Sequence, residues 1–129
     1  MKTNKATHNR PGEDRVIDAP YVITSINDRI TQLKNEEAWK SNDRNGITLF
    51  KTEGHTVVLS CFHGGTLLKH NDADSIVTIQ LLQGKIKFKP GTEVVDLTAP
   101  SIINLHPNVH HEIEMIGDTA LLFMNSTKS

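Results

Sequence analysis

Residues 64–84 read GGTLLKHNDADSIVTIQLLQG. Two short β-prone runs, Thr66 to His70 and Ser75 to Leu82, are bounded by Gly64-Gly65, Asn71-Asp72 and Gln83-Gly84. Runs of this length between such turn residues read as strands. Successive side chains on a strand point to opposite faces. Leu68 and His70 therefore share one side with Lys69 on the other, and Val77, Ile79 and Leu81 form one row.

The same grammar extends in both directions. Ile47 to Phe50, His55 to His63, Lys85 to Lys89, Glu93 to Leu97, Ser101 to Leu105, His110 to Ile116 and Thr119 to Asn125 are further short strands. Gly54, Pro90-Gly91, Ala99-Pro100, Pro107-Asn108 and Gly117-Asp118 separate them as turns. Many short strands with regular turn signals predict a sandwich or barrel. Parity sends Ile86 and Phe88 inward, with Lys85, Lys87 and Lys89 outward as a solvated, edge-protecting row. It also separates two adjacent histidines: His111, Ile113 and Met115 share the apolar face, and His110, Glu112 and Glu114 the polar one.

Upstream the pattern changes. Residues 1 to about 15 are polar and read as an arm. Val16-Ile17 and Tyr21-Val22-Ile23 are β-prone pieces interrupted by Pro20, which suits an edge strand. From Asn27 to Trp39, with Ile26, Ile30 and Leu33 at helical spacing, one short helix is expected, capped by Ser25 or Asn27 and ended by a loop over Ser41 to Gly46.

Composition narrows the classes. The chain has 129 residues, 36% of them hydrophobic, and a formal net charge of −1, so one domain with one core is expected. There is no basic excess to neutralise phosphates, which argues against nucleic acid and anionic membrane as partners. No apolar stretch approaches a membrane span and the N-terminus lacks an apolar signal region, so a cytoplasmic location is expected. The single cysteine, Cys61, lies in an apolar run and reads as a buried small hydrophobe.

The spacing Gly64-x5-His70-x-Asp72-x11-Gly84, followed by Pro100-x5-His106-Pro107-Asn108-x2-His111, resembles the two motifs of the cupin family. Gly64, His70 and Gly84 fall on the first motif, with Asp72 in place of its second histidine and Val77 in place of its glutamate. In the second, His111 falls on the histidine, while Pro100, His106, Asn108 and Met115 replace a glycine, a proline, a glycine and an asparagine. Residues 81–86 look like the hairpin joining the family's two central strands.

The resemblance implies an all-β fold, an antiparallel jelly-roll β-barrel at residues 46–129, with residues 1–45 as an N-terminal arm and helix packed on it. It implies a cavity lined by Val77, Ile79, Leu81, Ile113 and Met115, with His70 and His111 as its polar groups; His63, on the parity of Val57, Leu59 and Cys61, is expected either to line the same cavity or to serve the Gly64-Gly65 turn. If Asp72 joins the two histidines, the donor set suits one divalent metal ion, Fe, Mn, Ni or Zn. The other reading pairs His70 and His111 with each other, with backbone or with water. Function is then expected to be small-molecule binding, or alternatively a metal-dependent oxygenase or isomerase acting on a small polar substrate. Cupins of this size commonly form homodimers, which makes a second copy an expected partner.

Overall fold

The computed structural model describes residues 2–4, 15–70 and 74–127, with backbone only for residues 2–4 and His70. In chain order the elements are β1 (Lys2–Asn4), β2 (Arg15–Asp18), α1 (Ile26–Asn35), α2 (Glu37–Ser41), β3 (Arg44–Thr52), β4 (His55–Phe62) and β5 (Leu67–His70). They continue with β6 (Ser75–Pro90), β7 (Val95–Thr98), β8 (Ser101–Leu105) and β9 (His111–Thr127). All strand pairs are antiparallel.

Two long strands organise the barrel. β6 and β9 pair along almost their whole length, and each contributes to two half-sheets. On the helix side the order is β3-β4-β9-β6-β8, using the C-terminal part of β9 and the N-terminal part of β6. On the far side it is β5-β9-β6-β7, using the other part of each. The inner faces of the two halves share one apolar cluster: Val77, Ile79, Leu81 and Leu121 from the helix side, and Ile86, Phe88, Ile113 and Met115 from the far side. One common core requires the halves to face each other, as in a jelly roll.

The sequence reading expected turns at Gln83-Gly84 and Gly117-Asp118, with residues 81–86 as a hairpin. Instead β6 and β9 run straight through both, and the register shifts between Leu81 and Lys85. The extra residues form bulges, which bend a strand and raise its twist. Gly84 makes this bend: its φ is +92°, and a Cβ there would lie 2.5 Å from the Asp118 carbonyl oxygen and 2.7 Å from Thr119 Cγ2. The bulge also shifts parity, so the inward row of β6 changes from Val77, Ile79 and Leu81 to Ile86 and Phe88.

A third layer lies outside the barrel. Ile30 and Leu33 of α1 and Trp39 of α2 pack on Ile47, Leu49, Leu59, Cys61 and Ala120. Burial of each large side chain here contributes about 1.5–3 kcal/mol. The expected single helix is two, because Glu36 is extended (φ −82°, ψ 152°). The cause is a residue distant in sequence. Buried Asn45 donates from Nδ2 to the Leu33 carbonyl and to Glu36 Oε1, both at 2.9 Å, and so completes the end of α1. Asn45 and Gly46, read from sequence as loop, are strand residues paired with Cys61 and Ser60. Ser25 is the N-cap by position but makes no side-chain capping bond.

Of the arm, β2 pairs with β1, Ile17 is buried, and the Arg15 guanidinium donates to the Thr48 carbonyl. Tyr21 and Ile23 form no strand and are exposed. Among the described residues no helix is long and apolar enough to cross a membrane.

Candidate functional site

The chain passes from the far half to the helix side between His70 and Ser75, and back again between Leu105 and His111. These four strand ends therefore lie at one end of the barrel. Register agrees: His70 stands opposite His111, Val77 opposite Leu105, and Ser75 opposite Thr127.

His111 is the polar group that this end turns inward from the far half, at 6% exposure. Its ring tilts against Phe88, with centroids 5.6 Å apart. Nδ1 lies 2.9 Å from the Val109 carbonyl oxygen. A carbonyl can only accept, so Nδ1 carries the hydrogen, and in the neutral ring Nε2 keeps the lone pair. The turn ahead of it has a strained backbone. Asn108 has φ +68°, a conformation that glycine adopts freely and asparagine tolerates better than most residues. Asn108 thus keeps the backbone shape expected of the glycine it replaces in the resembled motif.

The apolar candidates all face the same core. Val77, Ile79, Leu81, Ile113 and Met115 are each no more than 2% exposed. Val77 is nearest the end of β6, where the resembled motif has a carboxylate, and its side chain offers no donor atom. Asp72 lies outside the described residues, and of His70 only the backbone position is described. Among the described residues no three His, Cys, Asp or Glu side chains form a group able to hold a metal ion. Of the three candidate ligands only His111 has a described side chain, and Nε2 is the donor atom it would offer a divalent ion.

His63 does not join this end of the barrel. It shares the row of Val57, Leu59 and Cys61, as its parity predicts, but that row faces the helices, while Phe62 points into the barrel core. The imidazole stacks on Trp39 with centroids 3.5 Å apart, and Nε2 lies 2.8 Å from the Trp39 carbonyl oxygen. Nδ1 lies 4.0 Å from Asp118 Oδ1, which accepts a hydrogen bond from the Gly64 amide. His63 is thus a link between helix layer and barrel corner.

Sequence reasoning missed Asn125. Its register partners are Val77 on β6 and Thr56 on β4. It continues the inward row of Leu121 and Phe123, so it faces the core near the same end as His111. Its Oδ1 is buried and has no hydrogen-bond partner among the described residues. Buried Ser75 lies two residues from Val77 on that face. The available signal was the odd-numbered row of Thr119 to Asn125, ending in an amide. Elsewhere, a cleft of about 240 Å³ between β2, the approach to α1 and β3 is lined by Arg15, Arg29, Thr24 and Thr48 among others.

Solved structures share this architecture. A cupin superfamily protein from Desulfitobacterium hafniense aligns over 99% of this chain and 100% of its own, with TM-score 0.64 and 13% identity. A cupin-2 domain protein from Shewanella frigidimarina aligns over 81% of this chain and 94% of its own, at TM-score 0.65 and 12% identity. A predicted oxalate decarboxylase from Thermotoga maritima aligns over 66% and 81%, at TM-score 0.60 and 15% identity. No family model and no curated protein sequence matches the chain. The chain has the cupin fold. At these identities the likeness is one of fold, and the activities of these proteins do not transfer with it.

Proposed function

We propose that this protein is a small-molecule-binding cupin whose ligand enters the barrel end that carries His111. One observation supports this most directly: a buried imidazole with its Nδ1–H committed to the Val109 carbonyl, turned inward on an otherwise apolar strand face. A backbone bond of this kind fixes the ring, so that Nε2 is presented in a single orientation, as in sites that recognise a ligand group. The surrounding side chains, Val77, Phe88 and Ile113, supply apolar wall, the usual composition of a small-molecule site. The reading assigns binding without a metal, because Val77 stands where a ligating carboxylate is expected.

The test is a thermal-shift screen of small polar metabolites against the parent and His111→Ala, with a chelator present throughout. Hits that stabilise the parent but not the variant support the reading. Stabilisation seen only when metal is added back, and lost in His111→Ala, would replace it with the metal-dependent one.

A further inference from the structure

We propose that Asn125 is a ligand-binding residue of this site and that the ligand is an uncharged small molecule with an N–H or O–H donor. The inference rests on reading the His111 end of the barrel as a small-molecule site, and adds to it a residue and a ligand chemistry.

Asn125 lies on the helix-side half and His111 on the far half, both on inward faces near the same end of the barrel. Buried polar atoms in folded proteins are almost always hydrogen-bonded. The Asn125 carbonyl oxygen is buried and has no such bond among the described residues. An amide oxygen only accepts, so its partner must donate. Its register partners do not satisfy it: Val77 has no polar atom, and the Thr56 hydroxyl makes no hydrogen bond to it among the described residues. Among the described residues, the charged side chains of the neighbouring strands point away from this face. Lys89 and Glu114 bond to each other on the outward rows, and Glu112 faces Lys69 there. A charged ligand would lose its hydration without a described counter-charge to replace it, whereas an amide or alcohol would not.

The test uses two probes of nearly the same shape. Benzamide and acetophenone share a ring and a carbonyl, and differ by an NH2 donor in place of a methyl. Each is titrated into isotope-labelled parent and Asn125→Leu, and affinities are read from backbone amide shifts. Benzamide should bind the parent about tenfold more tightly than acetophenone, the value of one good hydrogen bond, and the ratio should fall to near one in Asn125→Leu. Equal affinities in the parent, with amides around His111 and Val77 shifting, would overturn the role of Asn125 and leave the small-molecule site standing. If neither probe shifts those amides, the site itself is overturned.

Stability without ligand gives a second measure. An oxygen that serves a ligand is dispensable to the fold, so Asn125→Leu should melt at or above the parent temperature. A drop of more than about 3 °C, or failure to fold, would make the amide structural and overturn the inference.

Discussion

His111 donates from Nδ1 to the carbonyl of Val109, two residues back along the chain, at 2.9 Å. The bond fastens the ring to the turn that precedes β9. It directs Nε2 away from that turn, and the same arrangement would orient an imidazole for a metal. Val77, at the position of the resembled motif's carboxylate, bears on the choice between the two roles. Val77, 2% exposed, supplies carbon where a ligating oxygen is expected. The expectation is that protein purified without a histidine tag, loaded with Fe(II), Mn(II), Ni(II) or Zn(II) and desalted, retains no stoichiometric metal. Elemental analysis beside His111→Ala reads the result. Retention close to one equivalent in the parent and none in the variant would establish a metal centre completed by Asp72 or His70.

Gly84 and Gly65 both have positive φ, +92° and +87°, yet their surroundings differ. A methyl group on Gly84 would strike the Asp118 carbonyl and Thr119, whereas nothing lies within 4 Å of one on Gly65. Gly65→Ala should therefore cost only backbone strain, about 1 kcal/mol. Gly84→Ala adds a steric clash at the bend of both long strands and should cost about 3 kcal/mol or more. Urea unfolding of the two variants measures the difference. Equal losses would show that the bend is set elsewhere.

Strand parity was legible wherever the alternation was clean. Ile86 and Phe88 are buried beside outward lysines, and His111, Ile113 and Met115 are buried beside His110, Glu112 and Glu114 on the outward row. Three features depend on contacts that local pattern does not contain. Gln83-Gly84 and Gly117-Asp118 have turn composition, but a bulge uses the same positive-φ glycine as a turn. The break at Glu36 comes from Asn45, a residue in a strand rather than in the helix. The row of Val57, Leu59 and Cys61 is as apolar as the barrel's inner face, so its parity could not say that it faces the helices. For this reason the parity of His63 suits a cavity residue and a turn residue equally, and the structure sets it against Trp39; Asn125, a single amide at a strand's end, looks like a solvent-facing residue.

Cys61 sits fully buried between the helices and β3, β4 and β9. Burial pushes its thiol pKa up, and the distant positive charge of Lys34 offsets this only in part. The thiolate is the reactive form. Ellman's reagent should leave the native protein unmodified and should modify the chain fully in guanidinium chloride. Rapid labelling of the native state would show that the helix layer opens.

Lys89 and Glu114 form a cross-strand pair on the outward face of β6 and β9, at 2.9 Å. The hydrogen bond from Lys89 holds the Glu114 carboxyl below its ordinary 4.5. The same bond raises Lys89 above its ordinary 10.5. The carboxylate's stabilisation is fully present above 4.5 and is lost as pH falls through the depressed value. The ammonium's is fully present below 10.5 and is lost as pH rises through the raised one. Between these limits the pair contributes a constant amount, small because both groups reach solvent. Asp43, held low by its bond to Arg44, adds to the acid limb in the same direction. Glu114→Gln should thus lower the urea midpoint slightly near neutrality and leave it unchanged well below the native carboxyl's pKa, where Glu114 is already protonated. The parent and variant curves should converge as the solution is acidified below the depressed pKa of the native carboxyl. High salt should shrink their separation near neutrality. A separation that persists in acid would mean that Glu114 acts by packing rather than by charge.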